Sequence, residues 1–444
     1  MPAAVQAAAM QTKTVACRGV ALVVVLAILA SGCASSGPSF SEDPADYEDE
    51  VAELQARLSA DPSDGAALRE LGQIYMQTGR TNRAYDTLKS AYARLPSDPK
   101  TLFYLGMATE GVGRTEAALE LFAQYDRMPD DSRYRSLMEG RYEWLVRVQA
   151  RTEIRSMLAR EADLSEQNIS QGILAVLPLN YRGAQEQYEP LGRGLAEMLI
   201  TDLANVRDLR VVERVRLQAI LGEIEFGQTD YVDPVSAPRV GRLLGAGRLA
   251  GGSYRVTEGE DIRMDMTVVE LNAQTTPSVP AQTGSLADLF TLQKELALAL
   301  LDALDVTLTR EERAAISAPP TESLNSFLAF SRGLLEEDDG NFEAAAEHYR
   351  EATNLDPGFG AAAQRATKAE RLRTAGGTAT NALSAAQGSQ ITSTLLQQRL
   401  YNMGHSDIGF NDLIDGERRT PIEDVSGTTD DTLPPPPNPP QTPE

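Results

Sequence analysis

"ALRELGQIYMQTGRTNRAYDTLKSAYARLP", Ala67 to Pro96, is matched 34 residues later by "TLFYLGMATEGVGRTEAALELFAQYDRMPD", Thr101 to Asp130. Leu68, Leu71-Gly72, Gly79-Arg80, Ala84 and Leu88 correspond to Leu102, Leu105-Gly106, Gly113-Arg114, Ala118 and Phe122. Tyr75, Ala91 and Pro96 give way to Thr109, Tyr125 and Asp130, departures expected of a terminal copy. Small residues at Gly72 and Ala84 mark where two antiparallel helices must approach closely. Leu68, Leu71, Tyr75 and Leu88 are large enough to fill the space between them. Gly79 is suited to end the first helix in a left-handed conformation, and Pro96 to stop the second.

A 34-residue period of this make-up resembles the tetratricopeptide (TPR) repeat, a helical hairpin that stacks into arrays. A third copy lies far downstream in "SRGLLEEDDGNFEAAAEHYREATNLDP", where Gly333, Gly340, Ala345, Tyr349, Ala352 and Pro357 hold the same phase. Such arrays need about three units for stability. The distant copy is therefore expected to pack back onto the first two, or onto the domain between them. Ser132 to Glu161 reads as one long helix; its Trp144, the single tryptophan, shares a face with Leu137, Tyr142 and Leu145 and is expected in the core. The acidic "EDDG" at 337–340 is expected in an exposed turn.

From Gly172 the pattern changes. "GILAVLPL" reads as a buried strand, and "PLGRGLAEMLITDLANV" places Leu191, Leu195, Met198, Leu199 and Leu203 at helical spacing. "LRVVER" reads as a strand and "VRLQAILGEIEF" as a helix. "SAPRVGRLLGAG" reads as a helix capped by Ser236 and stopped at Gly245 or Gly247. In "RLAGGSYRVTEGEDIRMDMTVVELN" two strands flank Glu258-Gly259. The second alternates Ile262, Met264, Met266 and Val268 with Arg263, Asp265 and Thr267, so one face is buried. "SLADLFTLQKELALALLDALDVTL" closes the region as an amphipathic helix. Over roughly 172–308 these segments resemble the periplasmic domain of the curli-secretion CsgG/HfaB family and the related FlgO- and TolB-N-like domains. The most specific pieces are "RVVER", followed by Leu217 and Leu221, and "GRLLGAGRLAGGSY". The resemblance implies a mixed α/β domain on an outer-membrane lipoprotein.

Channel-forming members of that family insert two transmembrane hairpins per subunit into a large barrel, each hairpin needing two strands of about 9–11 residues. "QTDYVDPV" is too short for one, and 253–271, although long enough, is required by the soluble sheet. "NYRGAQEQYEP", after the first strand, offers Tyr188 but no asparagine–phenylalanine pair of a channel constriction. A pore is disfavoured. Catalytic signatures are also missing. Gly245 to Gly252 runs from helix into strand, the reverse of a dinucleotide-binding turn, and has no P-loop lysine. Arg193, between Gly192 and Gly194, reads as a helix-start feature, and His348 lacks triad partners. Cys17, Cys33, His348 and His405 are not spaced as metal ligands, so neither metal nor cofactor is expected. A net charge of −23 disfavours nucleic acid as a partner.

Lys13 and Arg18 precede a 12-residue apolar run, Gly19 to Ala30, which is short for a bilayer span and reads as an export signal starting at Met1 or Met10. Ala30-Ser31-Gly32-Cys33 resembles a bacterial lipobox with Ala30 in the position usually held by leucine. That implies diacylglycerol on the Cys33 sulfur, cleavage after Gly32 and acylation of the new amino terminus. Ala34-Ser35 resembles the outer-membrane sorting pattern. At the other end, composition turns to Ala, Gly, Ser, Thr and Gln, then to acidic residues and prolines, and is expected to be disordered. Within it "TSTLLQQRLYNMG", Thr392 to Gly404, reads as a short partner-docking helix, and the proline run as a spacer or recognition segment.

The expected fold class is α/β plus α. The expected divisions are a signal at 1–32, a tether at 33–43, TPR hairpins and a long helix at 44–165, the α/β domain at 166–318, a TPR-like hairpin at 319–372 and a disordered tail at 373–444. The expected function is a periplasmic, outer-membrane-anchored scaffold. It would hold envelope proteins or peptides through its TPR surface, the membrane through its acyl chains and, potentially, further copies of itself. The alternatives are a curli-type secretion channel and a cell-wall-binding module.

Overall fold

The computed structural model describes residues 44–161, 169–223, 237–271 and 276–387; Cys33, the signal and tether, Ser236 and the tail from 388 onward lie outside the described residues. Six helices come first: α1 (Glu48–Ala60), α2 (Gly65–Gln77), α3 (Thr81–Tyr92), α4 (Pro99–Gly111), α5 (Thr115–Phe122) and α6 (Arg133–Ala159). The repeat is built as its spacing requires. Asp64 and Asp98, one period apart, cap α2 and α4 by accepting from the Ala67 and Thr101 amides at 2.9 and 2.8 Å. Gly79 and Gly113 close those helices at φ +69° and +82°. A Cβ on Gly72 would lie 2.4 Å from Leu88 Cγ, and one on Gly106 would lie 2.4 Å from Phe122 Cε1. Only glycine lets these hairpins close. Leu71, Tyr75, Ala84, Leu102, Leu105 and Ala118 are buried between the pairs, whereas Leu68 and Pro96 are half-buried.

The array does not stop at the second hairpin. Ser132 and Gly140 continue the register of Asp98 and Gly106, so α6 is the first helix of a third unit. Its partner comes from the far end of the chain. A Cβ on Gly140 would sit 2.3 Å from Arg371 O and 3.0 Å from Ala375 Cβ. Those residues belong to the helix Gly360–Ala375, which takes the place that α3 and α5 hold in the first two units. Arg141, 3% exposed, fastens the joint. It donates to both Glu110 carboxylate oxygens and, at 2.7 Å, to Gly377 O, beside the end of that helix.

The α/β domain follows α6: β1 (Ser170–Tyr181), α7 (Leu191–Leu203), β2 (Arg210–Val211), α8 (Arg214–Glu223), α9 (Ala237–Leu244), β3 (Ala246–Val256), β4 (Asp261–Glu270), β5 (Gln282–Ser285), α10 (Leu289–Ala303) and α11 (Arg310–Ser317). The chain then returns to helices with α12 (Leu324–Asp338), α13 (Phe342–Leu355), α14 (Gly360–Ala375) and α15 (Ala379–Gln387). The sheet order is β2-β1-β3-β4-β5, with β1 parallel to β2 and β3, and β3, β4 and β5 antiparallel in turn. The expected strand at "LRVVER" shrinks to the two residues of β2, while β3 and β4 turn back at Val256↔Ile262 as expected. Gly245, at φ +67°, stops α9.

The strand β1 is apolar on both faces because helices cover both. Leu174, Val176 and Leu179 face a core shared with α7, α10 and the distal hairpin, including Phe327, Phe330 and Tyr349. Ala175 and Leu177 face a second core shared with α8, α9 and the far half of α6, through Ala150 and Ile154. The helical array therefore grips the sheet from both sides, and the distal copy packs on the α/β domain through α12 and on the first repeats through α14. In the distal hairpin a Cβ on Gly333 would lie 2.6 Å from the Tyr349 ring, Gly340 turns at φ +81°, and Ala345 and Tyr349 are buried. Pro357 is exposed and serves only as a stop.

Residues 373–387, expected to be part of a disordered tail, are largely helical. The helix α14 continues to Ala375, and α15 buries Ala382, Leu383 and Ala386 in the core of the first repeats. This alanine-rich run has little apolar surface of its own; α6 supplies the face that orders it.

One local test concerns Tyr254, 1% exposed. Its hydroxyl lies 2.6 and 2.8 Å from Tyr188 O and Glu189 O and accepts from the Gly192 amide at 3.0 Å, tying β3 to the start of α7. Tyr254→Phe removes these three contacts and should cost about 1–3 kcal/mol in urea unfolding, with little change in far-UV circular dichroism.

Candidate functional site

Three parts of the chain meet at the C-terminus of α12. Glu337 and Asp338 end that helix; Glu337 is buried and the Asp338 side chain is only 6% exposed, contrary to the exposed turn expected for "EDDG", of which Asp339 alone is exposed. The acidic sequence is unusual for an interior, and the explanation is a set of arginines brought from four other helices. Arg147 of α6 reaches Glu337 Oε1 at 2.6 Å, and Arg365 of α14 reaches Glu337 Oε2 at 2.9 Å. Tyr349 of α13 donates its hydroxyl to Glu337 Oε2 at 2.7 Å. Arg193 of α7 pairs with Asp338 at 3.0 Å, and Arg214 of α8 pairs with it from the opposite side and donates to Leu334 O at 3.1 Å. Glu197 of α7 completes the network by accepting from Arg365 and lying 3.8 Å from Arg214.

Arg193 is thus more than the helix-start feature expected of it. It occupies the first turn of α7 and also joins the α/β domain to the distal hairpin.

The two neighbouring carboxyls respond differently to one environment. Burial alone would raise Glu337, but Arg365, Arg147 and Arg214 outweigh it and hold the carboxyl far below its ordinary value. At Asp338 burial prevails over Arg214 and Arg193, with the Glu337 charge adding to it, and the carboxyl is raised. Burial and Glu337 push the Tyr349 hydroxyl up, so it remains a donor.

Beside this network lies a cleft of about 490 Å³ between α6, α8, α14 and the α12–α13 turn. Trp144 and Phe342 meet there edge to face, with ring centroids 6.2 Å apart, and Arg147 stacks 5.7 Å over the Phe342 ring. Trp144, expected in the core, is half-buried: it packs against the core of the first repeats and marks the joint between the two halves of the array. Lys368 pairs with Glu143 at 2.7 Å across the same cleft. The arrangement is a clamp with an aromatic-lined mouth, suited to holding elements together and to packing against another chain.

The remaining sequence candidates are dispersed. Leu68, Leu71, Gly72, Tyr75, Ala84, Pro96, Leu105, Gly106, Ala118 and Phe122 form the N-terminal hairpins, and Gly333, Ala345, Tyr349 and Pro357 the distal one; of these only Tyr349 enters the ionic network. Cys33, the expected lipidation site, lies outside the described residues. His348 faces only Glu351, at 3.4 Å. Among the described residues no group of three or more His, Cys, Asp or Glu is placed to hold a metal ion, and no helix is long and apolar enough to cross a membrane.

Residues 168–257 match the family model "Curli production assembly/transport component CsgG". No curated protein matches the chain. A solved structure described as the yeast Tom70 aligns at 14% identity and a TM-score of 0.22, covering 81% of this chain and 70% of that one. The 34-residue register and the paired helices on either side of the sheet supply the other half of the description. The chain carries a CsgG-like α/β domain held within TPR-type helical repeats.

Proposed function

We propose that this protein is a lipid-anchored scaffold of the outer membrane's periplasmic face, which holds envelope proteins or peptides during assembly or secretion and catalyses no reaction. The observation that carries the reading is the joining of a CsgG-like domain and a helical repeat array, a surface type suited to binding peptides and proteins, through one buried ionic clamp. The pairing of β3 and β4 within the domain's own five-stranded sheet supports a scaffold over a channel subunit. The lipobox-like Ala30 to Cys33 supports the anchor: several acyl chains hold a protein stably where one does not.

Two experiments test this. Cys33→Ser should abolish acylation and move the protein from the membrane fraction to the soluble periplasm; unchanged mass and fractionation would refute the anchor. Crosslinking in intact cells should recover envelope proteins whose capture depends on residues 64–131. Electron microscopy showing closed rings with a membrane-spanning belt would replace the scaffold with a channel.

A further inference from the structure

A second groove, of about 610 Å³, runs between the start of α6, α14 and α15. Its lining combines Ala366 and Ala385 with Arg133, Arg350 and Arg371 against a single carboxylate, Glu370. Arg371 is neutralised by Glu139, and Glu370 is engaged by Arg373. Arg133 and Arg350, both exposed, donate to Ala385 O and Ala346 O and have no carboxylate within ion-pair distance among the described residues, although Arg350 lies close enough to Glu370 to favour its charged form. On a chain with 64 acidic and 41 basic residues, a groove lined by three arginines and one carboxylate is a local reversal of charge.

The chain itself supplies a complementary segment. It leaves the described residues at Gln387, two positions after Ala385 of the groove lining. Further on, "SDIGFNDLID", Ser406 to Asp415, sets Asp407, Asp412 and Asp415 among Ile408, Phe410, Leu413 and Ile414 and contains no basic residue. The 18 residues between Gln387 and Ser406 reach on the order of 20 Å whether they run as coil or hold the helix expected at Thr392–Gly404, enough to return the segment to a groove that starts beside its own exit point.

We propose that Ser406–Asp415 docks in this groove, its carboxylates on Arg133 and Arg350 and its apolar side chains against Ala366 and Ala385. Carboxylate–guanidinium pairing sets the polarity of the site, and the apolar side chains lose water on docking. The contact is intramolecular, so the tether raises the effective concentration of the segment at the groove. It rests on the folded array alone and stands or falls independently of the anchor at Cys33.

Hydrogen exchange of the full chain, read by mass spectrometry, tests this. Amides of 407–415 should exchange about tenfold more slowly than those of 425–432. That protection should fall as salt is added and be independent of protein concentration. Arg133→Glu with Arg350→Glu should remove it. So should Asp407→Asn with Asp412→Asn and Asp415→Asn, a set that leaves the folded array untouched and so reads the contact even if the arginine variant unfolds. Absence of protection, or protection that survives the carboxylate substitutions, overturns the proposal. Protection that rises with concentration overturns it in favour of a second copy as the occupant.

Discussion

Glu337→Ala should lower the stability of the chain by about 3–5 kcal/mol, the cost of breaking a buried charge network from one side. The loss leaves the Tyr349 hydroxyl without its acceptor and takes a shared carboxylate from Arg147 and Arg365, whose remaining partners are Glu143 and Glu197. Against a typical total of about 5–15 kcal/mol, this is the most damaging single truncation in the joint. The urea midpoint measures it, and a change under about 1 kcal/mol would mean that the clamp contributes little beyond geometry.

The same residue sets a pH dependence. Folding depresses the Glu337 carboxyl below its ordinary 4.5, so its stabilisation is complete above that pH and fades as pH falls toward the folded value. Asp338 works in the opposite sense: its raised carboxyl disfavours the fold when charged, and protonation recovers stability on the same descent. Glu337→Gln should therefore flatten the decline in stability measured between about pH 5 and about pH 3, whereas Asp338→Asn should steepen it.

Gly140→Val should be the second large effect, about 3 kcal/mol, near the upper end for overpacking. Its Cβ would press on a backbone oxygen, Arg371 O at 2.3 Å, which yields only if α14 moves away from α6. The comparison is Gly222→Ala in α8, where a Cβ meets nothing closer than Arg151 Nη2 at 3.9 Å. There the gain in helix propensity should leave stability unchanged or raise it by up to about 1 kcal/mol. If both substitutions behave alike, α14 is not the partner of α6.

Much of this was legible in the sequence because it is local. The left-handed glycines and the small residues at each hairpin crossing lie within one period of their partners, and the alternation along β4 reports its buried face directly. Two features were not. Gly140 falls in register with Gly72 and Gly106, yet no second helix follows it in the chain, so α6 reads as an isolated long helix; its partner lies more than two hundred residues away. The acidic end of α12 likewise looks like solvent-facing sequence, because nothing near it signals that Arg147, Arg193, Arg214 and Arg365 converge there from four helices. The alanine-rich α15 reads as tail for the same reason: its burial depends on a surface supplied by α6. Where order comes from contacts distant in sequence, composition points the wrong way.

The most direct test of the joint uses the chain's own reporter. Trp144, the only tryptophan, sits on α6 against Phe342 of the distal hairpin, with its ring near Gly376 at the end of α14. Urea unfolding followed by Trp144 fluorescence and by far-UV circular dichroism should give superimposable transitions, because the two halves of the array and the sheet between them open together. A Trp144 transition completed at lower urea, while the helical signal persists, would contradict the account and leave the two helical regions as separate bodies.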